Sequence, residues 1–200
     1  MAETQAADPR VERSRRAVLD AAIALVLEGG ANALTVEAVS ERSGVAKTTI
    51  YRHWVNRDAL VIDTVRGCIP VVEHPDADLP FETALRQAVR SLAAGLSDDR
   101  VRAALPHLIA AAAEMWDLGA DYREVVEQQY AGLIGVLERG VAEGGLPEDT
   151  DVLEAKHQIF GPIFVTALSP DDRLGDDEAD RVVELFLASR RQDSYAEGST

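Results

Sequence analysis

Residues 35–57 read TVEAVSERSGVAKTTIYRHWVNR. Val36, Val39 and Ser40 fall on one face of a helix that runs to about Arg42, and the pattern breaks at Ser43-Gly44-Val45. Gly44 stands where a tight turn needs a positive φ, a conformation costly for any residue with a side chain. Ala46, Ile50 and Trp54 then recur at i, i+4 and i+8, which predicts a second short helix with those residues on its inner face. Two short helices joined by a turn of three or four residues make a helix-turn-helix. The outer face of the second helix carries Lys47, Thr48, Thr49, Tyr51, Arg52 and His53, and no acid lies between Arg42 and Arg57. Hydroxyls and cations on a helix this short can reach base edges in the major groove while neighbouring groups hold phosphates. Thr35 is the predicted cap of the first helix, with Glu37 in its first turn, and Asn56 the cap of a helix that starts at Arg57.

These residues resemble a known family. GVAKTTIYRHW followed by NRDALV looks like the helix-turn-helix and the start of the fourth helix in TetR-type bacterial transcriptional regulators, and the resemblance spans residues 14–66. It implies DNA-facing positions at Thr35, Lys47, Thr48, Thr49, Tyr51, His53 and Arg57, and a hinge at Gly44. Ser40 and Ser43 stand where that family usually has alanine, and Arg57 where it usually has lysine.

Two hundred residues with 46% hydrophobic side chains suffice for one large or two small packed domains. A net charge of −15 argues against a nucleic-acid partner until its distribution is read. Residues 1–67 hold nine Lys or Arg and nine Asp or Glu, whereas residues 68–200 hold eleven against twenty-six. An acidic body on a neutral head is repelled from phosphates except through its basic tip, which orients the encounter. The single cysteine, Cys68, excludes an internal disulfide and a cysteine-based zinc cluster, and reads as a small buried apolar residue. No apolar run approaches membrane-spanning length and the N-terminus lacks a signal-peptide core, so a cytoplasmic protein without a membrane partner is expected.

Along the chain, residues 1–8 read as a disordered tail and Asp8-Pro9 as the start of a helix whose inward stripe is Val18, Ala21, Ala22 and Leu25 and which stops at Gly29-Gly30. Arg13, Arg15 and Arg16 read equally as DNA-backbone contacts and as solvated surface. Residues 9–56 form the DNA-binding domain, 57–73 a connecting helix that ends near Pro70, and 74–80, HPDADLP, a linker. Residues 81–191 read as helices throughout, and 192–200 as a second tail. The expected fold class is therefore all-α, three DNA-binding helices followed by a larger helical domain. Within that domain the pattern predicts a helix from Phe81 to Leu96, a short one capped at Ser97-Asp98-Asp99 that ends before Pro106, a buried one from Pro106 to about residue 117, a long one over 121–142, one capped by Thr150 that Pro162 kinks, and a last one from Asp176.

The helices over 121–142 and 151–168 are the candidate dimerisation elements, with Leu133, Val136, Leu137, Ile159 and Ile163 as candidate interface residues. The resemblance implies the same pairing, and a homodimer supplies two recognition helices for a palindromic double-stranded operator. It also implies a small-molecule pocket among the helices of 81–142, for which Phe81, His107, Ala111, Glu114, Met115, Trp116, Tyr122 and Tyr130 are the candidates. Aromatics, a thioether and a few polar groups suit an apolar effector, although a Met-Trp pair on a buried helix is more often core. His107 and His157 lack metal-ligand spacing, and no nucleophile motif, phosphate-binding glycine loop or paired carboxylates appear, so neither metal, cofactor nor catalysis is expected. The reading is a DNA-binding repressor released by a small ligand. A helical interaction or small-molecule-binding module that keeps the hinge without reading DNA is the alternative.

Overall fold

Every regular element of the computed structural model is helical among the residues it describes, which are 9–114, 124, 127–169 and 174–197; the side chains of 31, 108, 111–114 and 191–197 are outside that description. The chain divides into two compact units, Met1–Cys68 with Ala103–Arg123, and Ile69–Arg102 with Glu124–Thr200.

In the first unit, α1 (Pro9–Gly29) buries Val18, Ala21, Ala22 and Val26 and ends where Gly30 takes φ +72°. A 3-10 turn, Ala31–Ala33, leads to α2 (Val36–Ser43), α3 (Lys47–His53) and α4 (Arg57–Cys68), and α1 packs on all three. Leu34, Val39, Ile50 and Leu60 are fully buried between them. Each such side chain stabilises the fold by about 1.5–3 kcal/mol relative to exposure. Asp63 on α4 ties the bundle together. Its Oδ2 accepts from Arg15 at 2.7 Å and from Trp54 Nε1 at 3.0 Å, and its Oδ1 accepts from Arg66 at 2.8 Å. Arg15, half-exposed, also lies over the Trp54 ring and so joins the bundle.

The second unit is built on α5 (Phe81–Ser97), whose stripe Phe81, Ala84, Leu85, Ala88, Val89, Leu92, Ala93 and Leu96 is buried. Around it pack α7 (Ala131–Ala142), α8 (Val152–Leu168) and α9 (Asp176–Glu197). The intervening helix, α6 (Asp99–Glu114), groups with the second unit to Arg102 and with the first from Ala103. Two glycines of α7 allow close approach. A Cβ on Gly132 would fall 2.3 Å from the Val72 carbonyl oxygen, and one on Gly140 would fall 2.3 Å from the Phe81 ring. The Phe81 ring is also covered by Gly145.

Several expectations are corrected. Pro106 does not end a helix: α6 runs through it, and Pro106 and Ile109 are exposed, so this helix is not buried all round. Its many alanines present little apolar surface that would force burial. The long helix over 121–142 is interrupted by a turn at Tyr130, after which α7 begins at Ala131. Asp151, not Thr150, caps α8, because its Oδ1 accepts from Leu153 N–H at 2.9 Å and Glu154 N–H at 3.0 Å. Thr150 Oγ1 is buried and has no hydrogen-bond partner among the described residues. Ala46 is exposed at the start of α3, leaving Ile50 and Trp54 as the inward residues. The last helix continues to Glu197, into the segment read as a polar tail, where Gln192, Ala196 and Glu197 favour helix. Asp8 and the first tail lie outside the described residues.

Candidate nucleic-acid interface

The turn between α2 and α3 is built by four residues. Gly44 takes φ +70° and donates its N–H to the Ser40 carbonyl at 3.0 Å, closing α2. Ser40 Oγ donates to the Val45 carbonyl at 2.8 Å, and Ser43 Oγ accepts from Val45 N–H at 3.2 Å. The two serines that depart from the usual alanine therefore both reach across the glycine to Val45 and brace the turn. Nothing in the spacing of apolar residues announces this; a short hydroxyl two or five residues before Val45, next to the irregular backbone, is the only sequence signal.

Both caps are where the sequence places them. Thr35 Oγ1 accepts from Ala38 N–H at 3.1 Å, and Asn56 Oδ1 accepts from Ala59 N–H at 2.8 Å. Each saturates an orphan donor of a helix start. With Ile50 and Trp54 buried, α3 is held by its inner face and turns the rest outward. Lys47, Thr48 and Tyr51 are exposed, Tyr51 at 51%, while Thr49 and His53 are half-exposed and the His53 ring lies against Trp54. An aromatic left half in solvent on a helix of seven residues has no packing purpose in the isolated chain. Val55, in the loop after α3, is 82% exposed and was not singled out by the sequence.

The cations of this face are unevenly engaged. Lys47 Nζ donates to Glu37 Oε1 at 2.6 Å, and Arg42 forms a two-pronged pair with Glu28. The hydrogen bond from Lys47 holds the Glu37 carboxyl below the usual range, and that from Arg42 does the same for Glu28. Arg57, exposed overall, donates its Nε to the Leu34 carbonyl at 2.8 Å and so ties α4 to the entry of α2. Arg52 makes no ion pair among the described residues.

The other candidate residues are more dispersed. Phe81 and Tyr130, in the second unit, are buried against Gly140 and Phe160 respectively, which makes them core there. His107, in the first unit, is half-exposed near Gly30. The backbone at Ala111 and Glu114 is helical, but their side chains, and all of Met115, Trp116 and Tyr122, lie outside the described residues. A groove of about 290 Å³ in the second unit is lined by Glu82, Gly144, Gly145, Leu146, Pro147, Leu187 and Arg190, none of them a sequence candidate. Leu133, Val136, Leu137, Ile159 and Ile163 are all 5% exposed or less. They fill the core of a single chain and have no surface left for a partner, which corrects their reading as interface residues. Apolar side chains that are exposed on the same bundle are Leu153, Val165 and Leu168 on α8 and Leu185 on α9. No helix among the described residues is long and apolar enough to cross a membrane.

A capped helix, a glycine-hinged turn and a second helix with a carboxylate-free outer face are the parts of a helix-turn-helix regulator of transcription. Comparison with known proteins places the chain more narrowly. Residues 18–64 match the family model for bacterial regulatory proteins of the tetR family, and residues 77–186 match that for the tetracyclin repressor-like C-terminal domain. The uncharacterized HTH-type transcriptional regulator YdeS of Bacillus subtilis is 33% identical over 173 residues, covering 84% of this chain and 85% of that protein. The fatty acid metabolism regulator protein of Bacillus subtilis is 24% identical over 156 residues, covering 74% and 79%. Among solved structures, the regulator FadR from Bacillus subtilis in complex with stearoyl-CoA shares the fold with a TM-score of 0.64 at 20% identity, covering 87% of this chain and 98% of that one. The chain belongs to the TetR family of transcriptional regulators.

Proposed function

We propose that the protein is a cytoplasmic homodimeric repressor that reads a palindromic operator through paired α3 helices and leaves it when an apolar small molecule binds. The observation that carries the reading is the outer face of α3, where Lys47, Thr48, Thr49, Tyr51 and His53 are presented by a helix anchored through Ile50 and Trp54. Thr35 and Arg57 flank it at the adjoining helix starts. Residues 9–56 are the DNA-reading domain, 57–73 the connection, 74–80 the linker and 81–191 the ligand-binding and dimerisation domain in this reading.

One α3 helix offers too few contacts for specific binding, whereas a twofold pair reads two half-sites about one helical turn or slightly more apart. Leu153, Val165 and Leu168 on α8 and Leu185 on α9 supply the apolar surface for that pairing. A Cβ added at Gly161 on α8 would meet nothing within 4 Å, which leaves the backbone there open to a partner helix. An acyl chain suits the effector role, since a relative is named for fatty acid metabolism and a protein of the same fold holds stearoyl-CoA. The effector acts by linkage: it prefers a conformation in which the two heads are wrongly spaced, and a coupling of about 1–3 kcal/mol lowers operator affinity about 5- to 150-fold.

The test is sedimentation of the purified protein with a selected operator duplex, with and without long-chain acyl-CoA. Two or four chains per duplex, and a drop in affinity within that range on adding the thioester, support the reading. One chain per duplex removes the dimer. Unchanged affinity across acyl chain lengths removes this effector class.

A further inference from the structure

The ion pair between Lys47 and Glu37 links the first residue of α3 to the second residue of α2. Both side chains are open to solvent, at 49% and 66% exposure. Ion pairs so placed contribute little to folding, so the fold gives no reason for this one. Its consequence lies where solvent is replaced by DNA. A lysine is a point charge on a flexible stem with freely turning donors, and an unconstrained one settles on the nearest phosphate. Reading a base edge requires the donor to stay in one place.

The backbone of Glu37 is well fixed for that purpose. It follows Val36, which is buried, and it lies in a first turn fastened by the Thr35 cap. Arg52 on the same helix as Lys47 has no such partner among the described residues and stays available to phosphates. The lowered pKa of Glu37 fits a carboxylate that keeps its charge and its hold on Lys47.

We propose that Glu37 is a positioning residue for sequence reading: it holds Lys47 Nζ at the leading end of α3 so that the ammonium meets a base edge in the major groove instead of the phosphate backbone. The carboxylate lowers overall affinity, by placing a negative charge near phosphates, and raises discrimination. This rests on the DNA-reading role of α3 proposed above.

The experiment is selection of bound duplexes from a random pool by the full chain and by Glu37→Gln, Lys47→Ala and the double variant, followed by affinity measurements at several salt concentrations. Both residues are exposed, so thermal midpoints stay within a degree or two and serve as the folding control. For Glu37→Gln, the expected result is loss of discrimination at one base pair per half-site, from about fivefold or more to near one. Non-specific binding tightens at the same time, and its logarithmic salt dependence steepens by about one for each half-site. In the Lys47→Ala background, Glu37→Gln removes no further sequence preference, because the effect passes through Lys47. An unchanged motif with uniformly tighter binding to every sequence overturns the proposal and leaves Glu37 a mere counter-charge. Equal loss of discrimination with and without Lys47 overturns it as well. If the unaltered protein enriches no motif, the DNA-reading premise fails and the proposal falls with it, a result seen before any variant is compared.

Discussion

Gly44 shows how much one position contributes when only its backbone is at stake. A side chain there would meet nothing within 4 Å, so the whole cost of replacement is the positive φ of +70°. Gly44→Ala is expected to destabilise the protein by about 1 kcal/mol, and Gly44→Asn by less, as read by thermal or urea unfolding. Lys156 poses the opposite case. It is 7% exposed on α8, and burial pushes its pKa below the ordinary lysine value despite the attraction of Glu127. A charge held there costs stability below the lowered pKa, and the cost fades as pH rises from that value to the unfolded value of 10.5. Lys156→Met is therefore expected to stabilise by about 1 kcal/mol at neutral pH, with a gain that shrinks toward alkaline pH. A gain that grows with pH contradicts this sign.

Helices α1 to α4 were legible because their apolar residues recur at helical spacing and their ends carry Thr35, Gly44 and Asn56, each with a local chemical reason to be there. Helices of the second unit were legible in existence and less so in extent. Pro106 reads as a breaker from sequence, yet α6 continues through it from Asp99 to Glu114 with one backbone bond fewer. Leu133 and Ile159 read as interface because periodicity reports which face is apolar and is silent on what covers it; the cover is the chain's own α5. The donor set of α3 was visible in sequence, whereas the Lys47–Glu37 pair and the Asp63 hub join residues ten and forty-eight positions apart and depend on the tertiary fold. The distinction between core and surface is testable on α7, α8 and α9. Leu133→Ala is expected to cost about 2–5 kcal/mol of stability. Val165→Glu or Leu185→Glu is expected to leave the fold intact and yield monomers by light scattering. Intact dimers from both glutamate variants would move the interface off these faces.

The charge of −15 sits wholly beyond residue 67, so residues 68–200 repel DNA while residues 1–67 are balanced. Long-range repulsion of this kind is screened over about 10 Å at 0.1 M salt and about 30 Å at 0.01 M. Neutralising the exposed Glu148, Asp149 and Asp177 is expected to tighten binding to random DNA at low salt, to do little near physiological salt, and to leave any selected motif unchanged. A changed motif would mean that these residues approach the DNA. The most direct single measurement is selection of bound duplexes from a random pool by the purified full chain, with Lys47→Ala and Tyr51→Phe in parallel. An inverted repeat whose half-sites lie about one helical turn or slightly more apart, lost or degraded in both variants, is the predicted result. A folded protein that enriches no motif, or a motif indifferent to both substitutions, would contradict the assignment of α3 as the reading helix.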